Sequence, residues 1–348
     1  MYRRTITRIG LVCSMLLCIM LSFGLESAYA ADKIVMKLAH PDPMDVFTSR
    51  KHAALMTFKE MVETNSGGRI EVVVLGGGAV GGEREILESI LNGTLQGSSI
   101  SAPVGLVYPP QMVISIPYLF ASAPAAWEVL DGPFGDKLAT GLLKKTGLRC
   151  LGFTELGFKQ FTNNKRPIRT PEDAKGLKIR VLENPLYMQF IKLLGANPTP
   201  LPWPEVYMAL QTGVVDGQEN PVSVVLMQKL QEVQKYCTMD GHIYGEEWFI
   251  VNDKYYQRLP KDLQGIVAGA ARVAVTVQRG TSQLFSSNGI ATLKKAGMQF
   301  YVPTPKEKEL FIKATQGPIV QWLKTKVDPK LVDEVLQAAA KANKKHPY

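Results

Sequence analysis

The sequence predicts an α/β fold of about two domains, on three observations. Strand-type and helix-type hydrophobic periods alternate along the chain. A length of 348 residues with 46% hydrophobic and 20% charged residues is that of an ordinary globular protein, neither disordered nor integral to a membrane. One helical pattern near the C-terminal third runs about thirty residues without a proline.

In chain order, Ile34 to Ala39 reads as a first strand. Ala54, Phe58, Met61 and Val62 mark one face of a helix, and Ile70 to Leu75 a second strand. Gly76-Gly77-Gly78 relaxes the chain into a helix beginning near Gly82, marked by Ile86, Leu87, Ile90 and Leu91. Leu148 to Phe153 is a further strand. In Lys178-Ile179-Arg180-Val181 the alternation puts Ile179 and Val181 on one side and Arg180 on the other. Tyr187, Ile191 and Leu194 have helical spacing until Gly195 stops them, and Pro198, Pro200 and Pro202 predict an extended loop. Pro204 suits the first turn of a helix with Val206, Ala209 and Leu210 as its stripe, closed by Gly213. Val214 to Gly217 reads as a short strand entering a turn at Glu219-Asn220-Pro221, and Tyr236 to Tyr244 as another strand. The long helix carries apolar residues at 263, 266, 267, 270, 273, 274 and 277. Too few charges flank that stripe for a coiled coil.

The N-terminus reads as an export address. Arg3, Arg4 and Arg8 precede an apolar run from Ile9 to Phe23, and Ala28-Tyr29-Ala30 supplies the small residues of a cleavage site, so the mature chain is expected to begin at Ala31 in the periplasm. The alternative, an uncleaved anchor, needs about 20 apolar residues, more than the run supplies. Loss of Arg3, Arg4, Arg8 and Glu26 lowers the formal net charge from +9 to +7. With basic residues only in pairs, that excess argues for solubility and anionic small ligands, and against nucleic acid. Cys13 and Cys18 fall in the leader. Cys150 and Cys237 remain in a compartment that permits disulfides, and their spacing leaves open a disulfide or two buried thiols.

A rival reading comes from Gly76 to Gly81, which satisfies GxGxxG between a strand and a helix and so suggests a dinucleotide-dependent dehydrogenase. It lacks its second half: no Asp or Glu lies between Gln96 and Leu106 to hold a ribose. The four histidines fit no HExxH, no GxSxG occurs, and the mature cysteines form no CxxC. Neither an enzyme nor a cofactor is implied.

The stretch TPEDAKGLKIRV, continuing to GANPTPLPWPEVYMALQTGVVDGQENP, resembles the signature of the solute-binding subunits of TRAP (tripartite ATP-independent periplasmic) transporters of the C4-dicarboxylate-binding type. GGEREILESILNG and EVQKYCTMDGHIY extend the likeness through the mature chain. The resemblance implies two lobes joined by crossing strands and braced by the long helix. It divides the chain into a signal peptide (1–30), lobe I (31–153 with about 245–260), lobe II (154–244), and a segment 261–348 holding the spanning helix with a C-terminal strand and helices. It also implies a monomer that captures a small organic acid for a permease of one small and one large membrane subunit. Presentation of the ligand to a sensor ectodomain is the alternative on the same fold.

Arg180 falls where such proteins grip the ligand carboxylate. A guanidinium does this with two parallel hydrogen bonds that lysine cannot reproduce; a surface salt bridge is the ordinary role of a strand arginine. Asn220 matches a ligand-contacting asparagine, or serves as a turn residue before Pro221. Lys159 stands where the family often carries a second arginine. His40 lies where family members line the cleft, or is satisfied within its loop. Trp203 is an apolar wall or core. Glu246 or Glu247, of which Glu247 is preferred, is the candidate for ligand hydroxyl or amino groups. Ligand identity is beyond the sequence, since dicarboxylates, sugar acids, keto acids and aromatic acids share the anchor.

Overall fold

Two sheets with helices packed against them carry the chain. The structure, a computed structural model, describes residues 33–347, so the expected leader and its cleavage point lie outside the described residues. The first sheet holds β1 (Ile34–Ala39), β2 (Ile70–Leu75), β3 (Gly97–Ile100), β4 (Leu148–Phe158) and β10 (Tyr244–Asn252) in the order β2-β1-β3-β10-β4. β1 runs parallel to β2 and β3, while β10 is antiparallel to β3 and β4. The second sheet, in the order β11-β9-β5-β8-β6-β7, holds β5 (Gln160–Asn163), β6 (Lys178–Val181), β7 (Asn197–Pro200), β8 (Gly217–Asn220), β9 (Tyr236–Thr238) and β11 (Gln299–Tyr301).

Helices α1 (Arg50–Asn65) and α2 (Glu83–Leu91) follow β1 and β2, as the periodicity requires. The turn into α2 uses Gly77 and Gly78 at φ of +65° and +77°, a region that costs other residues strain. Then come α3 (Val104–Val107), α4 (Ala123–Leu130) and α5 (Pro133–Thr146) before β4, and α6 (Pro171–Ala174), α7 (Pro185–Leu193), α8 (Val206–Gln211) and α9 (Val222–Met227) among the strands of the second sheet. The chain closes with α10 (Asp253–Arg258), α11 (Lys261–Lys295), α12 (Pro305–Lys324) and α13 (Pro329–Lys345).

Both crossings between the sheets meet at one point. β4 passes into β5 through the single residue Lys159, and the return from β9 reaches β10 through Ile243, whose carbonyl accepts the Lys159 backbone N–H at 2.9 Å. The 35 residues of α11, about 52 Å of helix, lie along α1 and β4 and reach α9 beside the second sheet. Ala270, Ala271 and Ala274 let it sit close against Ala54, Leu55 and Phe58 of α1. Among the described residues no helix is long and apolar enough to cross a membrane.

Three local expectations change. Asn197–Pro200, expected as a loop, is an edge strand paired in parallel with β6; an edge is where a sheet tolerates proline, because one side of the strand needs no donor. The strand expected at Val214 to Gly217 begins only at Gly217, and Glu219-Asn220 is its end rather than a turn. Hydrophobic patterning misses it because Gln218, Glu219 and Asn220 are all buried, and Gly217 is required because a Cβ there would stand 2.2 Å from the Thr162 carbonyl oxygen. The span Tyr236 to Tyr244 splits, its start joining the second sheet and its last residue opening β10 of the first. Cys150 on β4 and Cys237 on β9 are free thiols in different sheets, each pushed up to about 12 by burial.

Candidate functional site

The cleft lies between the sheets, over the crossing point. Its second-sheet wall is built by the ends of parallel strands: Arg180 on β6, the Leu201–Trp203 segment that follows β7, and Asn220 at the end of β8. That is where open α/β sheets place ligands. The facing wall comes from Asp42 after β1, Arg50 and Lys51 at the start of α1, Glu83 at the start of α2, Ser101 after β3, and Glu247 on β10. Leu156, Leu182 and Val224 supply apolar surface.

Arg180 is 1% exposed and has no carboxylate partner among the described residues. Its Nε and Nη2 both donate to the Leu201 carbonyl oxygen, at 3.0 and 2.6 Å, which fixes the guanidinium plane. Nη1 is buried without any partner among the described residues. Burial pulls this arginine down to about 10, against the distant pull of Glu219. The Trp203 ring lies 5.5 Å from its guanidinium carbon and shields it from solvent. Asn220 is also buried, its Nδ2 donating to Gln218 Oε1 at 2.6 Å. A desolvated cation with a free, oriented edge is a receptor for an anion.

The facing wall is a buried ion network. Arg50 and Lys51 begin α1, where the helix dipole disfavours cations, and both are fully buried. Three carboxylates offset this. Glu247 Oε1 takes Arg50 Nη2 at 2.9 Å and Lys51 Nζ at 3.2 Å, and its Oε2 takes Ser99 Oγ at 3.1 Å and Gln278 Nε2. Glu83 accepts from Lys51 and from the Ser101 backbone and hydroxyl. Asp42 Oδ2 stands 3.7 Å from Arg50 Nη1 and accepts from Ser49 Oγ. Burial pushes Glu247 up, but Lys51 and Arg50 hold it below the usual carboxylate range.

Of the residues expected at the site, Arg180, Asn220, Trp203 and Glu247 line this cleft, and Lys159 and His40 do not. Lys159 points behind the second-sheet wall, fully buried, with Nζ 3.0 Å from Glu219 Oε2 and 4.9 Å from the Tyr187 ring centre. Its place in the one-residue crossover turns it away from the cleft and onto β8. His40 is enclosed under Gly76 with its Nε2 2.9 Å from His52 Nδ1, and burial, with Lys51 and His52, holds it down to about 3. Strand alternation separates the two glutamates of β10. Glu247 faces the cleft, while Glu246 turns to Gln111 at 2.5 Å and is raised to about 7 by burial. Sequence reasoning missed Asp42, Arg50, Lys51 and Glu83. The available signal was the pair Arg50-Lys51 at the wrong end of a helix, since cations there need nearby carboxylates. No cluster of His, Cys, Asp and Glu fit to hold a metal occurs among the described residues.

A sequence model of the family described as bacterial extracellular solute-binding protein, family 7, matches residues 47–324. A solute-binding protein of Verminephrobacter eiseniae is 38% identical over 251 residues, 72% of this chain and 75% of that one. The 2,3-diketo-L-gulonate-binding periplasmic protein YiaO of Escherichia coli is 30% identical over 256 residues, 72% of this chain and 77% of that one. Among solved structures, the sugar acid binding protein DctPAm of Advenella mimigardefordensis in complex with galactonate superposes with a TM-score of 0.85 at 32% identity, covering 89% of this chain and 99% of its own. A TRAP periplasmic solute-binding protein of Polaromonas bound to D-erythronate gives 0.82 at 34% identity, covering 87% and 98%.

Proposed function

The chain belongs to the bacterial extracellular solute-binding proteins of family 7, and from that premise we propose that it captures a small organic acid by its carboxylate at Arg180 and delivers it to a TRAP permease. Arg180 grips the carboxylate through Nη1 and the second hydrogen of Nη2. Asn220 positions it, Trp203 keeps water from the pair, and Glu247 with its neighbours meets the remainder of the ligand. The two lobes close about the crossing at Lys159 and Ile243, with α11 as the brace. The small and large membrane subunits of the permease receive the ligand from the closed form, in a periplasm reached through a leader cleaved near Ala30-Ala31. Lys159 is reassigned from a second ligand cation to a buried partner of Glu219.

The observation that carries this reading is the unpaired edge of Arg180. Burying a guanidinium without a carboxylate is costly, and the likeness to proteins solved with organic acids supports an organic acid as its partner. The test begins with protein purified natively from the periplasm, whose bound solute is identified by mass spectrometry. Calorimetric titration of that solute into the wild type and Arg180→Ala follows. An organic acid whose affinity collapses in the variant is expected. A bound solute without a carboxylate, or unchanged affinity in a folded Arg180→Ala, overturns the reading.

A further inference from the structure

We propose that the wall facing Arg180 is a charge filter, in which Asp42, Glu83 and Glu247 admit an acid with one carboxylate and a hydroxylated tail and refuse a second carboxylate. The inference rests on carboxylate capture by Arg180 and adds what the rest of the ligand must be.

It follows from the charges that line the cleft. Arg84, half exposed at the rim, is shared between Glu183 at 3.3 Å and Glu88 at 3.1 Å, so the rim adds no free cation. Of the deep residues, Arg180 stands on one wall, and on the other stand two cations, Arg50 and Lys51, against three carboxylates, Asp42, Glu83 and Glu247. The facing wall therefore carries one net negative charge, and both of its cations are already bound by carboxylates. Lys159 cannot answer a second ligand carboxylate, because it is behind the wall and held by Glu219.

What the facing wall offers is interleaved donors and acceptors. Both contacts of the Asp42 carboxylate fall on Oδ2, so Oδ1 has no partner among the described residues. Lys51 Nζ uses two contacts, to Glu83 and Glu247, and an ammonium has three hydrogens. A hydroxyl both donates and accepts and can use each of these. A ligand ammonium only donates and would meet Arg50 and Lys51 directly, while an aliphatic tail would leave the wall's polar groups dehydrated.

The test is calorimetric titration of the intact protein with probes of controlled charge: D-erythronate and D-galactonate, each with one carboxylate and several hydroxyls, against succinate and butyrate. The better hydroxy acid should bind on the order of a hundredfold more tightly than succinate, the effect of one like charge at several ångströms in a partly shielded cleft. Butyrate should also trail by at least about tenfold. Asp42→Asn, or Glu83→Gln should the first variant fail to fold, should close the gap to succinate by at least about tenfold, with succinate gaining in absolute affinity. A gap to succinate below about tenfold in the wild type, binding by neither hydroxy acid, or a gap unchanged in both variants overturns the filter. If succinate binds well and Arg180→Ala abolishes it, the filter falls and carboxylate capture stands. If Arg180→Ala leaves every acid unaffected, carboxylate capture itself falls.

Discussion

Lys159 and Arg180 are both fully buried cations of the second-sheet unit, and both fall at positions that sequence resemblance associates with the ligand. Their surroundings differ in one respect. Lys159 has Glu219 at 3.0 Å, so its charge is answered within the protein; among the described residues Arg180 has only a carbonyl oxygen on two of its donors and nothing on Nη1. Burial lowers the proton affinity of both, and Glu219 opposes it in both, but only for Lys159 does it do so through a direct hydrogen bond. A buried charge that is paired belongs to the fold, and one left unpaired beside a cleft belongs to what enters it. The geometry of the crossover decides which is which, since a residue standing alone between two strands has its side chain set by their directions.

The largest effect is expected at Arg180. Arg180→Ala should weaken binding of the captured acid by about 2–5 kcal/mol, roughly thirtyfold to several thousandfold. Arg180→Lys should recover only part, because charge returns without the planar fork. Calorimetry on variants shown by circular dichroism to be folded measures this, and a loss below about threefold would erase the contrast with Lys159.

Lys159→Met should act on stability instead. It leaves Glu219 buried without its nearest cation, a loss of about 3–5 kcal/mol, and the lower end is expected because His242 remains 3.6 Å away. Pairing Lys159→Met with Glu219→Gln should restore most of it, since replacing both partners removes the stranded charge. Thermal unfolding gives the stability and titration of the folded variant the affinity. The comparison breaks if Lys159→Met leaves the melting temperature alone and weakens binding as Arg180→Ala does.

A third effect depends on pH. Burial raises Glu246 from 4.5 to about 7, so between those values the folded chain holds a proton that the unfolded chain has released. Stability contributed by this group is therefore greatest at acid pH, falls as pH rises from about 4.5 to about 7, and levels off above, by at most about 3 kcal/mol. His242 acts in the same sense: burial opposes its charge, but Asp240 and Glu219 prevail and raise it, so its contribution is present below 6.5 and lost as pH climbs through the folded value. Glu246→Gln should flatten melting temperature against pH between 5 and 6.5 and leave the His242 slope above it. An unchanged profile would place the proton elsewhere.

The smallest effect is expected at Trp203. Trp203→Leu keeps an apolar wall but loses the ring over Arg180, a loss of roughly 0.5–2 kcal/mol in affinity, read by the same titration. A loss as large as that of Arg180→Ala would mean the ring, rather than the guanidinium, holds the ligand.

Periodicity alone located most of the strands and the long helix. A strand with one buried face and a helix with one apolar stripe write their burial directly into residue order, as Ile34–Ala39 and residues 263–277 do. Alternation set Arg180 opposite Ile179 and Val181, but it was the family resemblance that singled it out, since a strand arginine is ordinarily a surface salt-bridge partner. β8 was not legible, because its burial is of polar residues satisfied by distant partners: Gln218 by Thr162, and Glu219 by Lys159. Most of the facing wall escaped for a related reason. Glu247 was a candidate from the sequence, but Asp42, Arg50, Lys51 and Glu83 were not, because the five are scattered over more than two hundred residues and no local pattern names the partners they will share. Local chain chemistry thus determined most of the elements, and the family resemblance singled out Arg180. The tertiary structure decided which cation is left unpaired among the described residues, which glutamate of the pair faces the cleft, and what charges line it, because each of those depends on a partner brought close only by folding.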